Sequence, residues 1–149
     1  MGKINYRHLF VLIARLVLTG TFVMAALPKI KDPVAFATSV NAFQVVGPTL
    51  SNWIALFLPW LELIVGIGIL LPQIRSSSSI LIAILLIVFI GLHASAWIRE
   101  LEISCGCFGA ESAEESTNYL WLITRNSLLL IACVLIISKD RKHNYPSKN

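Results

Sequence analysis

The chain has 149 residues, enough for one domain, and sets a 56% apolar share against only 13% charged residues, where soluble domains carry about 25%. That balance excludes a soluble enzyme with an ordinary polar surface. The net charge of +4 does not point to nucleic acid either, because the basic residues bracket apolar stretches instead of forming a patch.

Four apolar stretches carry the excess, at 9–27, 53–71, 80–98 and 119–137, each 19 residues long. At ~1.5 Å per residue a stretch of that length covers ~28 Å, close to the ~30 Å hydrocarbon core of a bilayer. The expectation is an all-α integral membrane four-helix bundle, one transmembrane domain over residues 1–149 in contact with the lipid bilayer. Lys3 and Arg7 precede the first stretch, and Val23-Met24-Ala25 has the form of a signal cleavage site. The run is longer than a signal h-region and Arg15 interrupts it, so it is read as a retained helix.

Asp32-Pro33 then reads as a helix start, with Asp as N-cap and Pro at the first helical position. Phe36, Val40 and Phe43 follow at i, i+4 and i+7 with polar residues between them, until Gly47-Pro48 ends the pattern. This predicts a short amphipathic helix at the outer interface, acting as a connector or as a lid. After the second stretch, Leu71-Pro72 is read as a stop and the serines at 76–79 as a tight turn into the third. Thr21 with Ala25, and Gly91 with Ser95, are small residues one turn apart that would allow close helix approach. Lys3, Arg7, Arg75, Lys139, Arg141, Lys142 and Lys148 gather on one side of the spans, against Lys29, Lys31 and Arg99 on the other. The positive-inside rule then places both termini in the cytoplasm of a multi-pass inner-membrane protein.

Polar residues inside the apolar segments carry a desolvation cost, about 2.5–3.5 kcal/mol for a charge at mid-membrane on insertion scales. Counted from the inner end, Arg15 lies ~9 Å deep, Glu62 ~13 Å, Arg125 ~18 Å and His93 ~19 Å, with Asn126 beside Arg125. Glu62 is the acid at depth, and the expected arrangement is an Arg15–Glu62–Arg125 cluster with His93 near its top. Two readings stand: a structural lock of the bundle, or a site for a substrate or a quinone.

Cys105 and Cys107 stand one residue apart in the outer segment between the third and fourth stretches, on the oxidising side of a bacterial inner membrane. No metal site is expected, because zinc needs about four ligands and the segment offers two thiols. Cys133 lies ~21 Å along a helix running away from them and is read as a packed apolar residue. A disulfide between Cys105 and Cys107 requires the chain to bend at Gly106, and strained bonds of this kind are labile. An inert bridge and a redox-active pair both remain open.

Cys105-Gly106-Cys107-Phe108-Gly109 after a third span resembles the mark of the MauE family, a branch of the wider DoxX-like membrane proteins. Arg15, Pro28-Lys29 with Asp32-Pro33, Pro59-Trp60 followed by Glu62 and Gly66, and Arg125-Asn126 extend the similarity over residues 13–137. The resemblance implies thiol–disulfide chemistry outside the cytoplasm, linked in MauE proteins to maturation of the disulfide-rich small subunit of methylamine dehydrogenase. In DoxX relatives it implies quinone-coupled sulfur oxidation. The leading expectation is a thiol–disulfide oxidoreductase in which Cys105 and Cys107 act on an extracytoplasmic partner protein, with quinone as a candidate acceptor. The alternative is a non-catalytic membrane assembly factor, or a subunit of a respiratory or sulfur-oxidising complex. A small transporter built on the Glu62–Arg125 layer is disfavoured, because four short helices contain no broken pair of repeats.

Overall fold

In the computed structural model, residues 6–101 and 118–144 are described, and they form five helices. α1 (Tyr6–Lys31), α3 (Pro48–Gly68), α4 (Arg75–Ile98) and α5 (Tyr119–Asn144) are long, and α2 (Pro33–Ala42) is short. The four long helices hold stretches apolar enough to cross a membrane, so the chain is a multi-pass membrane protein. α1 packs along α3 and α4 along α5, α3 meets α4 over a shorter stretch, and α1 touches α5 over the shortest of these seams.

Hydropathy locates the spans but misplaces their ends. α1 continues through Pro28 to Lys31. A proline removes only its own N–H from the ladder, which a membrane helix tolerates when neighbours pack against it. Helical bonding resumes at once, as Asp32 N–H donates to the Pro28 carbonyl at 3.1 Å. The serines at 76–79 are not a turn: they form the first turns of α4, and the chain reverses instead between Gly68 and Arg75. Inside a helix a serine hydroxyl can satisfy itself on the carbonyl one turn back, and Ser79 does so on Arg75 at 2.9 Å. Ser78 and Ser79 are both buried, where small side chains let α4 pack against the end of α3 at Gly68.

α2 starts as the sequence indicates. Asp32 Oδ1 accepts a hydrogen bond from Ala35 N–H at 2.9 Å, and Pro33 occupies the first turn. Its apolar face is packed on α3, with Phe36 and Ala37 buried against Ala55. Gln44, in the left-handed region at φ 53°, turns the chain toward α3. Arg99 at the end of α4 holds that turn, donating to the Phe43 carbonyl and to Gln44 Oε1, each at 3.1 Å.

The main core is a column of Leu18, Phe22, Val65, Ile69, Ile82, Leu86, Leu129, Cys133 and Ile136. The close helix contact falls at Gly66 and not at Gly91. A Cβ on Gly66 would stand 2.9 Å from Phe22 Cβ, whereas one on Gly91 meets nothing. Thr19 donates to the Gly66 carbonyl at 2.8 Å, a polar stitch across the same α1–α3 crossing. Cys133 is buried in the core, with Sγ 3.1 Å from the Ser79 carbonyl.

Candidate functional site

Because α1 runs past Pro28, Lys29 falls in its last turn and faces the bundle instead of the outer loop. Lys29 Nζ bonds both carboxylate oxygens of Glu62 on α3, at 2.7 and 2.8 Å. The two side chains are 3% and 1% exposed. An ammonium and a carboxylate so fully removed from water persist only as partners. The ammonium also lies 4.9 Å from the Phe36 ring centroid and 5.3 Å from that of Phe89, within the range of cation–π attraction. Phe36 therefore brings α2 over the ion pair at the Lys31 end of α1.

His93 on α4 occupies the next position. Its Nδ1 is 2.6 Å from the Phe89 carbonyl. A carbonyl only accepts, so Nδ1 carries the proton of this bond. Phe43, just past α2, meets the imidazole edge-on at 5.9 Å. α2 thus covers both Lys29 and His93, and its place over the ion layer goes beyond that of a surface connector.

Glu62, His93, Arg125 and Asn126 do come together, and Lys29 joins them around a cavity of about 40 Å³. The remaining wall is apolar, with Phe22, Leu86, Phe89 and Leu129, plus Thr21 and Ala25 from α1. Arg15 stands apart from this group. It pairs with Asp140 on α5 at 2.7 Å, so the expected Arg15–Glu62–Arg125 cluster is replaced by two separate ion pairs, Arg15–Asp140 and Lys29–Glu62. The reason is helix length. α5 runs beyond residue 137 and carries Asp140 to the level of Arg15, while α1 runs beyond residue 27 and carries Lys29 to Glu62.

Lys29 and Asp140 are the residues that hydropathy alone passed over, since both lie just outside the apolar windows. A signal for Lys29 was present in the Pro28-Lys29 pair that follows the first span. Cys105 and Cys107 lie outside the described residues. The chain on either side of them is described: Tyr119 Oη donates to the Leu101 carbonyl at 2.5 Å. Leu101 and Tyr119 therefore lie side by side, at the end of the bundle shared by Lys29, His93 and Arg125.

Fold and site together define a four-span helical membrane protein with a buried lysine–glutamate pair beside a small cavity of mixed polar and apolar wall. The family model for methylamine utilisation protein MauE matches residues 7–139, and the chain belongs to the MauE family. It is 31% identical to the methylamine utilization protein MauE of Paracoccus denitrificans over 125 residues, covering 83% of this chain and 66% of that protein. With the protein of the same name from Methylorubrum extorquens the identity is 31% over 109 residues, 72% of this chain and 58% of that one. The chain thus spans somewhat under two thirds of each relative's length. No solved structure matches it.

Proposed function

We propose that this protein handles disulfides of an extracytoplasmic partner protein through Cys105 and Cys107. The observation that carries the reading is the stapling of Leu101 to Tyr119, which ties the two ends of the cysteine-bearing segment to the end of the bundle where Lys29, His93 and Arg125 lie. In the reducing direction, one thiolate attacks the partner's disulfide, forms a mixed disulfide and expels the partner's first thiolate. The second thiolate then attacks the bridging sulfur, closing the Cys105–Cys107 bond and releasing the partner as a dithiol that has gained two electrons. The same steps reversed oxidise a partner dithiol and leave Cys105 and Cys107 reduced.

Arg125, Asn126 and His93 offer hydrogen-bonding groups beside apolar walls, but a cavity of about 40 Å³ is smaller than the ~150 Å³ that takes a benzene ring, so the residues as they stand do not fit a quinone ring. Beside that cavity the carboxylate of Glu62 stays paired with Lys29. The names of the relatives suggest methylamine utilisation as the setting, and the family resemblance adds a disulfide-rich partner such as the small subunit of methylamine dehydrogenase. The same reading puts both termini in the cytoplasm of the inner membrane. With Lys29 in an ion pair, Lys31 and Arg99 are the outer cations set against seven inner ones, which supports that orientation.

The test is to replace Cys107 by Ser, and Cys105 by Ser in a second strain, and to look for a disulfide-linked adduct on non-reducing gels. One of the two variants is expected to trap a partner that reductant releases. An empty gel for both, with the double variant still supporting the associated pathway, would reassign the protein as a non-catalytic assembly factor.

A further inference from the structure

Arg99 ends α4 in a way that fixes where its side chain can reach. Just beyond it, Glu100 N–H donates to the Trp97 carbonyl and Leu101 N–H to the Ala96 carbonyl, each at 3.1 Å. These are the paired bonds of a Schellman ending. From that anchor the guanidinium reaches back to the turn after α2, donating to the Phe43 carbonyl and to Gln44 Oε1. Two non-glycine residues beside this clasp lie in the left-handed region, Gln44 at φ 53° and Glu100 at φ 51°. Glycine would adopt that backbone with no steric cost, and an outlier held in place marks a contact that outweighs local preference. At position 44 the contact is visible: glutamine supplies the amide oxygen that Arg99 takes, and glycine would not.

The clasped turn controls what lies beneath it. Phe43 meets the His93 ring edge-on at 5.9 Å, and Phe36, two turns earlier, lies over the Lys29 ammonium at 4.9 Å. Lys29 and His93 are each only 4% exposed, and α2 supplies part of that cover. The helix is lightly held. Its buried contact is a cluster of Phe36, Ala37 and Ala55, separate from the main core column. An element with so small a core opens locally at less cost than the whole bundle. Arg99 and Gln44 are both exposed, so water competes for their bonds. Two such hydrogen bonds shift an opening equilibrium by roughly 10- to 100-fold.

We propose that α2 is a lid over the Lys29–Glu62 pair and His93, and that Arg99 is its latch. When the latch is released, Gln44 leaves the left-handed region and Phe43 moves off His93. The polar groups beneath are then open to water from the Lys31 end of α1. The pivots are the two helix breaks, at Asp32 and at 43–47. The cavity beside the ion pair, about 40 Å³, exceeds the ~10–15 Å³ that one water requires, so the lid admits water or a solute of that size. The latch uses helix residues and the turn alone, and it stands or falls apart from the chemistry of Cys105 and Cys107.

The experiment follows carbethoxylation of His93 by diethyl pyrocarbonate in the full chain in phosphatidylcholine nanodiscs, quantified by mass spectrometry of the peptide that carries it. In parallel samples, N-ethylmaleimide modification of Cys133, which is buried in the main core, reports opening of the whole bundle. Arg99→Ala is expected to speed His93 modification about tenfold and to leave Cys133 unchanged. Gln44→Gly should raise the His93 rate at least about threefold, although it relieves the backbone. Arg99→Lys keeps the charge without the fork, and should fall between Arg99→Ala and the wild type. Phe43→Ala uncovers His93 directly and sets the fast limit. A His93 rate in Arg99→Ala within about twofold of the wild type, or a rate in Gln44→Gly below it, overturns the latch. A parallel rise at Cys133 overturns it as well, because the bundle and not the lid has then opened. A Phe43→Ala rate equal to that of the wild type overturns the lid. Failure of the single-serine variants to trap a partner leaves these rates, and the lid, untouched.

Discussion

Replacing one member of the Lys29–Glu62 pair tests the centre of the structure. Lys29→Met leaves the Glu62 carboxylate buried without its cation, and Glu62→Gln leaves the ammonium without its anion. Breaking a buried pair from one side costs about 3–5 kcal/mol. The geometry gives the same range, since two charge-assisted hydrogen bonds at 2.7 and 2.8 Å are worth about 1.5–3 kcal/mol each. Lys29→Met/Glu62→Gln removes both charges together and should unfold within about 1 kcal/mol of the wild type, or later. The coupling between the two sites is then at least about 5 kcal/mol. Reversible unfolding in mixed micelles, titrated with denaturing detergent and followed by far-UV circular dichroism, supplies all four corners of the cycle. Arg15→Gln serves as the control. Arg15 is committed to Asp140, so its combination with Glu62→Gln should be additive within about 0.5 kcal/mol. Additivity of Lys29 with Glu62, or strong coupling of Arg15 with Glu62, would refute the pairing described above.

Gly66→Ala should lose about 1–3 kcal/mol in the same unfolding assay, because its Cβ would stand 2.9 Å from Phe22 Cβ. Gly91→Ala, with open space around it, should stay within about 0.5 kcal/mol of the wild type. Asp32→Ala removes the acceptor of Ala35 N–H and should weaken α2 by about 1 kcal/mol. Hydrogen exchange should rise roughly fivefold across Pro33–Ala42, with the four long helices unchanged. Cys133 is buried in the core, so a membrane-impermeant maleimide should leave it unmodified in intact cells with or without prior reduction. Labelling of a Cys105→Ser/Cys107→Ser chain would contradict its placement.

Local patterns carried much of the fold. The four spans were legible because nineteen or so apolar residues have few other fates. α2 was legible because Asp32-Pro33 both caps a helix and fixes its first turn. The ends of helices were less accessible. A hydropathy window stops at the first charge or proline, whereas the helix continues while backbone bonds can be met, as through Pro28 and across the serines at 76–79. Those few extra turns changed the site. Glu62, His93, Arg125 and Asn126 were recognisable because polar groups in lipid-spanning segments need partners. Which partner each takes was not, since Lys29 lay outside the window and Arg15 appeared within reach of Glu62.

The amino-acid sequence therefore determined that this chain crosses the bilayer four times, starts α2 at Asp32, and places a glycine-separated pair of cysteines between its last two spans. These features depend on hydropathy and on contacts within a few residues. Only the tertiary structure decided that Lys29 meets Glu62 across 33 residues and that Arg15 meets Asp140 across 125. It also opened a cavity where Thr21 and Ala25 suggested close packing. The physical reason is that charge pairing and packing depend on the register between helices. That register is set jointly by helix length and by the crossing at Gly66, and no single segment contains it.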